Sequence, residues 1–507
     1  MEIDKPEEVV YPCGYPHWSV GLSDNLGGVY PFHDTSDSTV ISLDIKEIFT
    51  ARQALGKSIK LDPVGLAAKA INAYLLGNRT LVEGVSRAPW VALHKSNSGW
   101  LPEKLPPHGS NKATDPDLFI RNLKQGLLDE IQAYVRGAKT VGILLSGGMD
   151  SRVVAGVVRE VQQIEGNRFQ VVGLTWGKET SRDVVYAKKI TDRFGWDWHH
   201  YPLNSDVLAR NIHHMGKMGA EVSPLHLHAM PDVAVTPGID VVLAGSYGDS
   251  VGRAEFSGKH LTQLKPLLDK QKDKFGILRR GVMREVEAGL TADLLDTPHL
   301  SGSISEIRRR EIEQQCHYMR RMLQCCMNTI SEHKPFYQAF TSPDVFGLMW
   351  ELDPSVRDNR WYIYLLRELP GNLLDIPWAR TGKKYGGEEG AADSLLKSYH
   401  EYGHWLRTDL KEEIVGRVNS DTIRGLGLFN DRGLDYALHA WSRSKTISTN
   451  SLDELFSWIA SLHDFLDIYQ IKPQGPLAES EWLDRLTGLR GGAFARIFVE
   501  VRNRMRQ

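Results

Sequence analysis

The chain is short of the features that would tie it to a membrane, an oxidising compartment or a polyanion. No apolar run approaches the roughly 20 residues needed to cross a bilayer, so a soluble protein without a membrane partner is expected. Four cysteines, Cys13, Cys316, Cys325 and Cys326, are too few in 507 residues to build a disulfide framework. The opening MEIDKPEEVV has no basic stretch followed by an apolar one, so no secretory leader is expected and the cytoplasm is the expected location. Basic and acidic residues balance at 61 and 63, for a formal charge of -2, which argues against nucleic acid as a partner. Tandem repeats, low-complexity segments and C-x-x-C pairs are missing as well.

What is present divides along the chain. A length of 507 residues predicts two or three domains. The first hundred residues read as short strands (GGVYPFHD, STVISLDI) and a helix in DPVGLAAKAINAYLLG, with Asp62 as cap and Pro63 in its first turn. The run LPEKLPPHGSNKATD is rich in Pro, Gly, Ser and Lys and lacks periodicity, so it reads as a linker. This places a front module over 1–104, a linker over 105–115 and the main domain over 116–507. The main domain alternates helical patterns with the continuous apolar strands TVGILLS, FQVVGLTW and DVVLAGS, which predicts an α/β fold with a doubly wound, mainly parallel sheet buried on both faces. Beyond Arg253 long helical patterns dominate, including SEIRRREIEQQCHYMRRMLQCCMNTI and SLLKSYHEYGHWLRTDLKEEI.

The chemistry concentrates in VGILLSGGMDSRVVAG, where a strand runs into two glycines, an acid and two hydroxyls before a helix. Ligands of open parallel sheets sit at the carboxyl ends of strands. Gly147 and Gly148 let backbone N–H groups approach an anion, and the helix N-terminus adds partial positive charge. Ser146 and Ser151 offer hydroxyls. Asp150 would repel a bare phosphate, so it makes sense with a divalent cation bridging it to the phosphates. An ordinary strand-to-helix turn also uses Gly, Ser and Asp, but not in this fixed order at this place. No Lys follows the glycines, which excludes G-x-x-x-x-G-K-[ST].

LLSGGMDS resembles the pyrophosphate loop of the N-type ATP pyrophosphatases, most closely the branch of asparagine synthetases and β-lactam synthetases. The resemblance implies an adenine nucleotide α-hydrolase-like domain with a helical C-terminal part, and ATP and Mg2+ as cofactors. It also implies a reaction in which a substrate carboxylate attacks the α-phosphorus, giving an acyl-adenylate and pyrophosphate. The nucleotide site it implies comprises Leu144, Ser146, Gly147, Gly148, Asp150, Ser151, Leu174, Thr175 and Gly245, with Leu174, Thr175 and Trp176 bordering the adenine. VVLAGSYGDSVGR resembles the family's second signature and maps Asp249 to the metal beside Asp150. Ser246 stands where asparagine synthetases carry Glu and β-lactam synthetases Tyr; Tyr247 follows one place later, and Ser250 replaces the usual acid. Ser246 and Tyr247 are therefore both candidates for handling the nucleophile. WARTGKKYGG resembles the late loop whose Lys reaches the α-phosphate, with Lys383 and Lys384 both eligible. Asp183 matches the acid of a third segment, and is equally readable as a solvated helix-start acid.

LDPVGLAAKAINAYLLGNRTLVEGVSRAPWVAL resembles the end of the family's glutaminase half. That half requires a Cys at the mature N-terminus, whereas Glu2 and Ile3 follow Met1, and Cys13 lacks the free amine that the chemistry uses. The expected module is thus a small α+β remnant of a glutaminase-type domain, without that activity. The expected partners are a small-molecule or peptide carboxylate with ammonia or an amine, and a second copy of the chain or a partner biosynthetic protein. The function implied is an ATP-dependent amide-forming ligase of specialised-metabolite or modified-peptide biosynthesis. A β-lactam-type or lasso-type cyclase, another pyrophosphatase-loop enzyme and a non-catalytic nucleotide-binding partner are the alternatives. His226 and His228 in HLHAM, and the Cys and His residues of CHYMRRMLQCCMNTISEH, read as core positions rather than a zinc site. The basic amphipathic end ARIFVEVRNRMRQ reads as a terminal helix.

Overall fold

The computed structural model of the protein describes residues 30–95, 99–111, 115–302, 304–384, 394–471 and 481–504. Cys13, the segment Met1 to Ile3 and the last three residues lie outside them.

The front segment opens with strands β1 (Phe32–Asp34) and β2 (Asp37–Ser42), followed by helices α1 (Ile45–Ala54) and α2 (Pro63–Asn72) and strand β3 (Val85–Arg87). These strands form an antiparallel sheet in the order β2-β1-β3. Asp62 caps α2 as its sequence predicts, accepting from the backbone N–H of Val64 and Gly65, with Pro63 at the first position. A second pair, β4 (Ala92–Lys95) and β5 (Gly99–Pro102), precedes helix α3 (Pro116–Val135).

The main sheet follows as β6 (Thr140–Leu144), α4 (Met149–Ile164), β7 (Gln170–Trp176), α5 (Arg182–Phe194), β8 (Asp197–Tyr201), α6 (Ser205–Lys217), α7 (Met230–Val235) and β9 (Val241–Ala244). After a short hairpin, β10 (Glu255–Phe256) and β11 (Lys259–His260), come helices α8 (Arg280–Leu295), α9 (Glu306–Glu313) and α10 (Cys325–Ser331), and then the last strand, β12 (Phe336–Gln338). The five strands are all parallel in the order β12-β9-β6-β7-β8. The chain winds outward from β6 through β7 to β8, then returns to the other side of β6 for β9 and β12. That reversal opens a crevice beyond the carboxyl ends of β6 and β9.

Alternation along the strands feeds two cores. Val141, Ile143, Val241 and Leu243 pack with α3, α4, α5, α11 (Pro343–Glu351) and α12 (Asn359–Glu368) on one face. Val242, Ala244, Val172 and Leu174 pack with α6 and α7 on the other. Helices therefore cover both faces, which makes the fold α/β and doubly wound, as expected.

The second core also takes in the front segment and the C-terminal helices. Phe49 and Leu66 share it with α13 (Tyr402–Arg407), α14 (Lys411–Val418), α15 (Asp421–Arg424), α16 (Asp431–Ser442) and α17 (Ser451–Ile468). Helix α18 (Glu481–Arg504) closes the chain against α16. Buried guanidinium groups reinforce the union: Arg320 donates to the carbonyls of Gly77 and Ala88 at 2.5 and 2.6 Å, and Arg321 to that of Gly77 at 2.6 Å. Among the described residues no helix is long and apolar enough to cross a membrane.

Two helical patterns differ from their reading. SLLKSYHEYGHWLRTDLKEEI is not one helix, because Leu396 and Tyr399 spend backbone groups on the loop after β7: Leu396 N–H donates to Thr180 and Lys178 N–H to Tyr399. Helical geometry begins only at α13. Between α9 and α10 the residues Gln314–Gln324 form a wide π-type turn, a feature often found where a helix must re-aim side chains at a site.

Candidate active site

The loop from Leu145 to Gly148 leaves β6 and enters α4 at the reversal point. Leu145 still pairs with β7, its N–H donating to the carbonyl of Leu174 at 2.9 Å. The two serines then close on each other. Ser146 Oγ lies 3.1 Å from Ser151 Oγ and accepts from the N–H of Gly148 at 3.1 Å, and the Ser146 N–H donates to Ser151 Oγ at 3.2 Å. Gly148, the cap of α4, offers no side chain to the first turn, so the helix has no side-chain cap.

Glycine is required at Gly147 by space rather than by φ. A Cβ there would lie 2.8 Å from Ala379 Cβ and 3.0 Å from the carbonyl of Arg182. Gly245 is constrained likewise, because a Cβ would meet the carbonyl oxygen of Asp150 at 2.9 Å. The loop after β9 thus touches the first turn of α4 through its backbone.

Asp150 and Asp249 come together across one cation. Nη2 of the buried Arg253 lies 3.2 and 3.0 Å from the two carboxylate oxygens of Asp150 and also bonds the carboxylate of Asp249. Burial pushes the Asp150 carboxyl up from its ordinary value, while Arg253 beside it pulls the other way. Asp183, in the first turn of α5, faces the Ser146–Ser151 loop: burial raises its carboxyl to about 6, opposed by a hydrogen bond from the N–H of Gly147.

A cavity of about 300 Å3 joins these groups. Its lining includes Leu144, Ser146, Gly148, Asp150, Ser151, Trp176, Gly245, Ser246 and Asp249. The opposite wall is His226, His228 and the residues Met322, Leu323, Cys326 and Met327 that the π-type turn and α10 present. His228 adopts a left-handed backbone, φ 48°, and lies 2.9 Å through Nδ1 from the Tyr402 hydroxyl. Burial among His400 and His226 holds its pKa well below the usual imidazole value, so the ring is neutral. Burial likewise keeps Cys326 a thiol. No group of three His, Cys, Asp or Glu among the described residues is placed to hold a metal ion.

Other expected residues lie elsewhere. Leu174 and Thr175 are buried within the sheet, the Thr175 hydroxyl donating to the carbonyl of Leu145 at 2.9 Å. Tyr247 turns from the cavity and packs near Tyr30 and Arg320, where burial raises its phenol well above the ordinary value. Lys384 is exposed and pairs with Asp375 at 3.3 Å. Lys383 bridges to Trp378 through its backbone, and neither lysine lines the cavity. The continuation at 385–393 lies outside the described residues. A larger cleft, about 1470 Å3, lies between α1 and α6 and includes no residue of the Ser146–Ser151 loop.

Sequence reasoning missed three cations. Arg253, four residues after Asp249, carried a legible signal in that spacing, because i and i+4 meet on a helical turn. Arg152 directly follows the loop, yet three of its four carbonyl partners come from residues more than 200 positions away. Arg182 is buried at the start of α5, and its guanidinium lies where a Cβ on Gly382 would sit, at 2.6 Å.

Residues 122–375 match the family model for asparagine synthase. A curated relative, asparagine synthetase (glutamine-hydrolyzing) 2 of Bacillus subtilis (strain 168), is 28% identical over 184 residues. The match takes in 34% of this chain and 23% of that relative, so the chain spans less than a quarter of its length. Among solved structures, the U34-tRNA thiolase NcsA of Methanococcus maripaludis, solved with its 4Fe-4S cluster, aligns at a TM-score of 0.27 and 13% identity over 68% of this chain and 87% of its own. The NMN synthetase of Francisella tularensis aligns at 0.22 and 14% identity over 41% of this chain and 97% of its own.

Proposed function

The chain belongs to the asparagine synthase family, and on that premise we propose that it is an ATP-dependent amide-forming ligase. A substrate carboxylate attacks the α-phosphorus of ATP, pyrophosphate leaves, and an amine or ammonia then takes the acyl group with release of AMP. The observation that carries this reading is the meeting of the Ser146–Ser151 loop with Asp249 in one cavity at the crevice where the strand order reverses.

In this reading the hydroxyls of Ser146 and Ser151, the N–H of Gly148 and the open end of α4 bind the leaving pyrophosphate. Arg152 keeps that loop in shape from behind. Asp150 and Asp249 suit Mg2+, since both already converge on a single positive charge, and phosphate oxygens and water would complete an oxygen shell. When bound, Mg2+ supplies neutralisation of the phosphate charge. Ser246, which lines the cavity with its hydroxyl 3.8 Å from Met327 Sδ, stands at the position where the resembled synthetases carry Glu or Tyr. The nucleophile in this reading is ammonia or an amine on the substrate or a partner protein. A cytoplasmic biosynthetic enzyme is the setting this implies.

The test is carboxylate-dependent exchange of labelled pyrophosphate into ATP, with Mg2+ and a panel of amino acids and peptides that begins with aspartate. Exchange with at least one carboxylate is expected, and Asp150→Ala and Asp249→Ala should each abolish it. ATP binding without exchange for any carboxylate would replace this reading with that of a nucleotide-binding partner protein.

A further inference from the structure

Arg253 sits where the two carboxylates meet. Its side chain is 4% exposed, and its two terminal nitrogens divide their work. Nη2 serves Asp150 and Asp249, while Nη1 donates to Asn359 Oδ1 at 3.0 Å and lies 3.7 Å from a carboxylate oxygen of Glu255. The guanidinium carbon lies 5.5 Å over the ring of Tyr362. A guanidinium stays charged at any physiological pH. A divalent cation held by the same carboxylates would lie about 2 Å from their oxygens, overlapping the space and opposing the charge of Nη2.

We propose that Arg253 is a resident cation which neutralises Asp150 and Asp249 in the nucleotide-free protein and makes divalent-metal entry conditional on nucleotide. The proposal rests on the phosphate-and-metal reading of this site given above. Without nucleotide, a metal ion must displace the guanidinium from both carboxylates and leave it buried with Asn359 and Glu255. Glu255 is already shared with Arg380 at 2.6 Å, so it compensates only in part. Polyphosphate arriving with the metal supplies new anionic partners for the displaced group, and the exchange of partners becomes favourable.

The experiment is direct Mn2+ binding, read by electron paramagnetic resonance, to the nucleotide-free wild-type protein, Arg253→Gln, Arg253→Lys and Asp150→Asn. The wild type is expected to bind Mn2+ at least about tenfold more weakly than Arg253→Gln. Arg253→Lys, which keeps the charge without the fork, should stay near the wild type. Asp150→Asn should bind no better than the wild type. Repeating the titration with a non-hydrolysable ATP analogue should shrink the gap between wild type and Arg253→Gln to less than about threefold. Equal Mn2+ affinity of the nucleotide-free wild type and Arg253→Gln overturns the proposal. Should Arg253→Gln fail to fold, the wild type alone decides: a melting temperature unmoved by Mn2+ but raised by Mn2+ with the analogue supports it, and a rise with Mn2+ alone overturns it. Failure of the analogue to bind any variant would instead count against the proposed nucleotide reaction, and the nucleotide-free comparison would still stand.

Discussion

Arg152 donates through Nη2 to the carbonyl oxygen of Gly147 at 3.1 Å, so the residue that follows the Ser146–Ser151 loop also holds it from beneath. The same guanidinium, fully buried, reaches the carbonyls of Leu373, Ile376 and Pro377 at 3.0, 2.6 and 2.8 Å. Carbonyls that would otherwise need water inside the protein are satisfied by one planar fork. Arg152→Met is therefore expected to cost about 3 kcal/mol or more, since several buried acceptors lose their donor at once. Denaturant unfolding measures the stability, and calorimetry with ATP should show affinity reduced by at least about tenfold. Arg152→Lys should recover little of either, because an ammonium does not span the same four carbonyls. Full nucleotide affinity in Arg152→Met would show that the loop keeps its shape without this support.

Gly147→Ala tests the other side of the loop. The added methyl would press on Ala379, whose N–H donates to the carbonyl of Gly147 at 3.1 Å, and on the backbone of Arg182. These are backbone and Cβ atoms of packed elements, so the strain is not relieved by rotating a side chain. A loss of about 1–3 kcal/mol in thermal or denaturant unfolding is expected, together with weaker ATP binding. Gly166→Ala is the control for methyl addition. Nothing lies within 4 Å of its Cβ, although its φ of 66° carries its own small cost.

The strand-loop-helix frame was legible because its signals are local. Continuous apolar strands, a cap at Asp62 and Pro63, and the order Ser146-Gly147-Gly148-Met149-Asp150-Ser151 each depend on neighbours in sequence. The far wall of the cavity was not legible, for the opposite reason. His226 and His228 reach it from a loop before α7, Cys326 reaches it from α10, and Met322 and Leu323 reach it from a turn whose π geometry departs from the 3.6-residue period. Such a turn reads in sequence as any amphipathic helix. Tyr247 illustrates the same limit: one residue separates it from Ser246, yet the turn sends one side chain to the cavity and the other to Tyr30. The paired Asp150 and Asp249 were legible by resemblance, whereas the cation between them was signalled only by its i, i+4 spacing from Asp249.

The front segment should not melt as a separate unit. Arg320 donates to the carbonyls of Gly77 and Ala88 and to Asn78 Oδ1, and Arg87 reaches back to Glu221 at 2.8 Å, a carboxylate that Arg321 also binds at 2.9 Å. All three guanidinium groups are buried, so breaking one leaves charge or carbonyls uncompensated. Calorimetry of the wild type should give a single transition. Arg320→Met should lower its midpoint by about 3 kcal/mol or more in stability without splitting it. Two well-separated transitions in the wild type would show that the front segment and the sheet domain do not fold as one unit.

Asp183 provides the pH test. Its carboxyl is raised from 3.8 to about 6, mainly by burial, with the N–H of Gly147 opposing. A carboxyl whose folded pKa exceeds its unfolded value binds more protons in the folded state between those two values, so it lowers stability as pH rises from about 4 to about 6. Above that window the charged form costs stability; below it the cost vanishes. Asp183→Asn removes the titration and keeps an acceptor for the Gly147 N–H. Its melting temperature relative to wild type should therefore rise across the pH 4 to 6 interval and level off above it. The carboxylate also accepts from an N–H of the Ser146–Ser151 loop, and above pH 6 it would place negative charge beside the polyphosphate proposed to bind there. ATP affinity of the wild type should thus fall as pH rises through about 6, a trend flattened in Asp183→Asn and measurable by calorimetry at matched ionic strength. A wild-type stability difference from Asp183→Asn that stays constant from pH 4 to 8 would mean that this carboxyl titrates at its ordinary value and is open to solvent.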